Sequence, residues 1–148
     1  MKRTPRQGET DADAALAAVF GPRGLLRAAL ADFECRPAQL QMARAVEAAI
    51  AAGETLLAEA GTGTGKTLAY LIPALLSGRK TVIATGTKTL QDQLFFKDIP
   101  LLASALPRTF VASLMKGRAN YLCRRNLRRA LTETHTRPQR QALLKIQA

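Results

Sequence analysis

Residues 60–67 read AGTGTGKT, between the short apolar run TLLAEA over 55–60 and the longer KTLAYLIPALLSG over 66–78. The octet fits the phosphate-loop pattern, with Ala60 in place of the first glycine and with Gly65, Lys66 and Thr67 in their required positions. Its residue types explain its chemistry. Glycines let backbone N–H groups turn inward around phosphate oxygens, and the helix that follows presents its N-terminus to the anion. Lys66 would reach the β and γ phosphates, and Thr67 would offer a hydroxyl to Mg²⁺, a hard ion that keeps most of its waters. The whole stretch Ala60, Gly61, Thr62, Gly63, Thr64, Gly65, Lys66 and Thr67 is therefore the candidate nucleotide cradle. A glycine turn that merely precedes a helix is the bland alternative, and the apolar runs on both sides argue against it. The loop by itself implies nucleotide binding and no particular activity.

Working outward, the run before the loop reads as a strand and the run after it as a helix, kinked at Pro73 and closed by Gly78. Upstream, Pro37 sits at a first-turn position, and Leu40, Ala43, Val46, Ala49 and Ile50 recur at helical spacing until Gly53. Further upstream, a short helix from Asp13 stops at Gly21-Pro22, and LLRAAL supplies a second, to Leu30. Met1 to Asp13 is polar and without periodicity, which predicts a loose arm. Downstream, KTVIAT over 80–85 has the β-branched content of a strand, Lys88 to Phe96 has helical spacing, and TFVASLM over 109–115 predicts another strand. Strand and helix patterns thus alternate from Thr55 to Met115, the signature of an α/β fold with a parallel sheet wrapped by crossover helices. The expected organisation is an arm over 1–12, a nucleotide-binding domain over 13–115, and a basic helical segment over 116–148.

The chain has 148 residues, of which 47% are hydrophobic and 22% charged, a composition able to bury a core. Apolar runs are all too short to cross a bilayer, and the first ten residues lack the apolar stretch of a secretory signal, so the expectation is a cytoplasmic protein without membrane contact. Cys35 and Cys123 are too few for a disulfide framework. Charge is one-sided: residues 1–100 carry a balance of +2 and residues 101–148 a balance of +9. That segment favours a polyanionic partner, nucleic acid before an anionic membrane. His135, the sole histidine, has no partner cluster and is expected to be exposed and uninvolved.

Further patterns fall in register with the loop. Phe33, Arg36, Gln39 and Met42 form FxxRxxQxxM; Thr85 to Leu94 reads TGTKTLQDQL; and Lys116 to Cys123 reads KGRANYLC. Their order and spacing resemble the glutamine motif, motif Ia and the first cluster-cysteine segment of the DinG/YoaA-type iron–sulfur helicases. Those are superfamily 2 DNA helicases and bacterial relatives of the XPD-like repair enzymes. The resemblance covers residues 12–130 and is closest to the YoaA branch. It implies a RecA-like ATP-binding domain, with Arg36 and Gln39 on the adenine side of ATP. A Gln amide can pair with an adenine amine and ring nitrogen at once, although the same residue on a helix surface needs no ligand. The resemblance also implies DNA-backbone contacts from Thr85, Thr87 and Lys88, though by local chemistry Thr87 equally suits a helix N-cap beside a solvated lysine. Cys123 would be one of four ligands to a [4Fe-4S] cluster, where a lone cysteine would otherwise be an apolar packer. Beyond it, Arg124, Arg125 and Arg128 lie at helical spacing with Arg129, as a DNA-binding face or as a merely solvated one.

The resemblance also names what is missing. The family's Walker B box holds an Asp-Glu pair, and no Asp is followed by Glu in this chain. Three further cluster cysteines are absent as well. The expectation is the N-terminal part of an ATP-dependent DNA helicase, acting in repair on single-stranded or forked DNA and inactive and poorly stable as this piece. A stand-alone, non-catalytic nucleotide- or DNA-binding module is the alternative, and a phosphate-loop ATPase that never touches nucleic acid is a remoter one.

Overall fold

A computed structural model describes residues 7–133 and 136–147, so the position of His135 lies outside the described residues. The chain divides into two units, the first ending at Ser113 and the second beginning at Leu114.

The first unit is built from helices: α1 (Gln7–Phe20), α2 (Leu25–Ala29), α3 (Pro37–Ala52), α4 (Lys66–Ser77), α5 (Lys88–Gln93) and α6 (Ile99–Ala105), with a π-helical turn, Leu94–Asp98, between the last two. α1 begins at Gln7 and not at Asp13, so part of the segment expected to be a loose arm is helical. α3 starts where Pro37 sets the first turn and stops at Gly53, whose φ of 70° is left-handed and costs glycine little. α4 stops the same way at Gly78, φ 67°. The terminal carbonyls of both helices find arginines: Arg79 Nη1 donates to Ile50 O at 2.6 Å, and Arg108 Nη1 donates to Leu76 O at 3.0 Å.

α3 and α4 lie against each other, with α1 on α3 and α2 between α1 and α6. Their apolar stripes meet in one core: Leu16, Val19 and Phe20 of α1, Leu26 of α2, Ala43 of α3, Ala69, Leu71 and Ile72 of α4, and Leu94, Leu102 and Leu106 beyond. Phe33 stacks tilted on Phe20, ring centroids 6.5 Å apart, so the first residue of FxxRxxQxxM is a packing residue.

The parallel sheet does not appear. Among the described residues none is in a paired strand; segments 55–60, 80–85 and 109–115 run without a ladder. The reason is visible in their burial: Leu57 is 97% exposed, Val82 89% and Val111 97%. A parallel strand is stable when neighbours pair both of its edges and helices cover both of its faces, and neither condition is met at these positions. A groove of about 640 Å³ separates α3 from residues 54–58 and 80–82, lined by Met42, Val46, Leu56, Tyr70 and Val82 among others.

The second unit contains a 3₁₀ turn at Arg118–Asn120, α7 (Arg124–Thr132) and α8 (Arg137–Gln147), and its two helices touch. No helix among the described residues is long and apolar enough to cross a membrane.

Candidate nucleotide site

The loop is shaped by two glycines in the left-handed region, Gly63 at φ 76° and Gly65 at φ 79°, the latter being the N-cap of α4. Successive N–H groups in such a turn, followed by a helix N-terminus, form an anion-binding concavity. Thr64 Oγ1 donates to Gly61 O at 2.9 Å and closes the turn across its mouth. Lys66 Nζ donates to Ala60 O and to Gly61 O, each at 2.5 Å, so its ammonium is folded over the start of the loop. Thr62 stands exposed at the loop's tip, while Lys66 and Thr67 are half-buried.

Arg36 and Gln39 reach the same loop from α3. Gln39 lies in the first turn of α3, and Arg36 is the extended N-cap just before it. The Arg36 guanidinium donates to Gly63 O, and Gln39 Nε2 donates to Gly65 O at 3.0 Å. Gln39 is 5% exposed, so its amide is a buried polar group satisfied by the loop backbone. A Cβ on Gly65 would collide with that amide. Sequence reading placed these two residues at an adenine; the structure brings them onto the carbonyls of the two left-handed glycines, leaving Gln39 Oε1 as the atom with acceptor capacity.

Tyr70, one turn after Thr67 on α4, escaped the sequence reading. Burial pushes its phenol above the ordinary value, a side-chain hydrogen bond with Thr67 opposes that rise, and the Asp98 carboxylate adds to it. Asp98, at the end of the π-helical turn, is itself raised by burial, against a hydrogen bond from Gln93 and the charge of Lys97. The signal was present in KTLAY, where position 70 must share a face with Thr67.

The segment expected to contact DNA opens α5. Thr85 Oγ1 donates to Thr87 O at 3.1 Å, and Thr87 Oγ1 accepts from Leu90 N–H at 3.2 Å, so Thr87 is the N-cap of that helix. Lys88 is exposed.

In the second unit, Lys116 N–H donates to Tyr121 Oη at 2.8 Å and Asn120 Nδ2 donates to Gly117 O at 3.1 Å, which ties KGRANYL into a turn leading to Cys123. Cys123 is exposed at the N-cap of α7, so it is not an apolar packer. Arg124, Arg125 and Arg128 are exposed on that helix, and Arg129 pairs with Glu133 at 3.6 Å. A [4Fe-4S] cluster takes four thiolates. The chain holds two cysteines, Cys35 in the first unit and Cys123 in the second, and no group of three metal-ligating residues exists among the described residues. Cys123 could supply one such thiolate, and these 148 residues do not supply all four.

A glycine-built loop at the N-terminus of a core helix has the form of a phosphate loop, and comparison with known proteins gives the family. Residues 36–143 match the DEAD/DEAH box helicase family, to which the chain belongs. It is similar to the ATP-dependent DNA helicase YoaA of Escherichia coli K12, 53% identical over 104 residues that are 70% of this chain and 16% of that protein. YoaA of Haemophilus influenzae is 49% identical over 118 residues, 80% of this chain and 18% of that protein. The ATP-dependent helicase DinG of Mycobacterium tuberculosis H37Ra is 44% identical over 105 residues, 66% of this chain and 16% of that protein. The chain thus spans less than a fifth of the length of these relatives. No solved structure matches it.

Proposed function

We propose that this chain is the ATP-binding front part of an ATP-dependent DNA helicase of the DinG/YoaA type. The observation that carries the proposal is the loop Ala60–Thr67 itself: two left-handed glycines, Lys66 folded onto the carbonyls of Ala60 and Gly61, and α4 beginning at Lys66. In this reading ATP enters with Mg²⁺. The Lys66 ammonium exchanges the Ala60 and Gly61 carbonyls for the β and γ phosphates, and Thr67 gives its oxygen to the ion. Arg36 and Gln39 hold the loop's glycines from α3, with Gln39 Oε1 available to an adenine amine. Segments 55–60, 80–85 and 109–115 keep strand composition and are the sheet of the domain once pairing neighbours are supplied.

DNA, single-stranded or forked, is the macromolecular partner in this reading, and repair in the cytoplasm its setting. Thr85, Lys88 and the exposed arginines Arg124, Arg125 and Arg128 supply phosphate contacts of the kind that carry no sequence information. Hydrolysis needs an acidic pair that the chain does not contain, so the 148 residues are expected to bind nucleotide without turning it over.

The test is Lys66→Ala, read by titrating a fluorescent ATP analogue in the presence of Mg²⁺. Loss of charge-assisted contacts to two phosphates predicts about 10- to 100-fold weaker binding. The affinity for a labelled single-stranded oligonucleotide is expected to stay the same. Unchanged nucleotide affinity would remove Lys66 from the site.

A further inference from the structure

A single strand of nucleic acid offers a protein two things together, a chain of phosphates and the open faces of unpaired bases. Basic side chains answer the first and aromatic rings the second. The second unit is rich in the first kind of group: residues 114–148 hold nine lysines and arginines against one acidic residue, Glu133. Among them stands a single aromatic ring, that of Tyr121. Tyr121 is 54% exposed, and Leu122 beside it is 56% exposed.

The ring is tied down at its polar end. Tyr121 is the C-cap of the 3₁₀ turn Arg118–Asn120, where its N–H donates to Arg118 O at 3.2 Å. Asn120 closes that turn with two bonds to Gly117 O, from its N–H at 2.8 Å and from its Nδ2 at 3.1 Å. The phenol oxygen then accepts the Lys116 N–H at 2.8 Å, five residues back. The side chain is thus ordered by its own turn while it remains exposed. A ring held this way has given up rotamer freedom before any ligand arrives, so less is lost when one binds. Cations flank it in sequence: Arg118 lies three residues before, Arg124 and Arg125 three and four after, and all three are exposed. Leu127, Ala130 and Leu131 of α7 are half-buried, so that helix presents cations rather than the apolar stripe that enters a lipid surface.

We infer that Tyr121 is a base-stacking residue for single-stranded DNA, its ring taking the face of one unpaired base while the arginines around it take the neighbouring phosphates. The inference rests on the DNA reading above and adds to it a contact that a paired base does not offer, so the second unit selects single strand over duplex. Every base has a π face, so the contact adds affinity without sequence preference.

The test uses the full 148-residue chain and two labelled strands of equal length, one of thymidines and one abasic at every sugar. Both carry the same phosphates, so the basic residues treat them alike. The wild-type chain is expected to bind the thymidine strand about 5- to 100-fold more tightly, and Tyr121→Ala to erase that preference. The slope of log affinity against log salt is expected to stay the same in Tyr121→Ala, since no phosphate contact is lost. A variant that weakens equally on both strands would make the tyrosine a prop for its turn and overturn the inference. So would loss of binding to phosphatidylserine vesicles in Tyr121→Ala with the strand preference intact, which would give the ring to a lipid surface. Should Tyr121→Ala lose helical circular dichroism, tyrosine emission decides, because the chain has two tyrosines and no tryptophan. The thymidine strand is expected to quench the wild-type chain, the abasic strand to leave it unchanged, and Tyr121→Phe to abolish the quenching; wild-type emission that thymidine does not alter would overturn the inference. A wild-type chain that binds both strands alike sinks this inference alone, whereas one that binds neither sinks the DNA reading with it.

Discussion

An alanine at position 65 would meet two obstacles at once. The backbone there has φ 79°, and the new Cβ would run into the Gln39 amide. Left-handed backbone in a non-glycine residue costs of order 1 kcal/mol or more, and the displaced amide would lose its bond to Gly65 O, worth about another 1 kcal/mol. Gly65→Ala is therefore expected to lower the melting temperature and weaken nucleotide binding together, measured by thermal circular dichroism and the ATP-analogue titration. Gly61→Ala is the control for the melting temperature alone, since Gly61 is not among the glycines at positive φ and the only neighbour of a Cβ there is a Thr64 methyl at 4.0 Å. At this scale the sequence was informative where one residue type has one physical use. Lys66, Gly65 and Thr67 were readable because few patterns need them in that order. Gln39 was only half readable: its position near the loop followed from the motif, but its amide serves the loop backbone, a choice that depends on the approach of α3 to Gly65.

Helices announced themselves through their ends. Pro37, Gly53 and Gly78 stand where α3 starts and where α3 and α4 stop, because each supports a backbone conformation that other residues pay to adopt. The π-helical turn over Leu94–Asp98 had no such mark; helical spacing from Lys88 to Phe96 looks the same whether a turn holds one residue more or fewer. Strands were the opposite case, since β-branched composition at 80–85 reports what a segment can do when paired, and pairing is a property of its neighbours. For α7, the exposed arginines make a numerical prediction. If Arg124, Arg125 and Arg128 each neutralise one phosphate of a single strand, replacing all three by Ala lowers the slope of log affinity against log salt by about 2. Anisotropy of a labelled oligonucleotide at several salt concentrations reads this, and an unchanged slope would leave those arginines merely solvated.

For the whole molecule, the balance of buried and exposed apolar surface is unusual. A well-packed helical core sits beside exposed Leu57, Val82 and Val111, each of which in water forgoes about 1.5 to 3 kcal/mol of burial. Unpaired apolar segments of this kind are templates for association. Leu57→Lys with Val82→Lys is expected to reduce light scattering at constant helical circular dichroism, because neither side chain supports the helices; a loss of helicity would place them in the core after all. The +9 charge of residues 101–148 belongs to this scale too: it is a field of one sign, favourable to a polyanion, that no single arginine supplies.

On the proposed function, residues 60–67 cradle the phosphates of ATP. Hydrogen exchange of the full chain, followed by mass spectrometry of the peptide spanning that loop, tests it most directly. Addition of ATP with Mg²⁺ is predicted to slow exchange at the amides of Gly63 to Thr67, and Lys66→Ala to abolish the effect. Protection elsewhere in the chain with none in this peptide would place the nucleotide outside the loop.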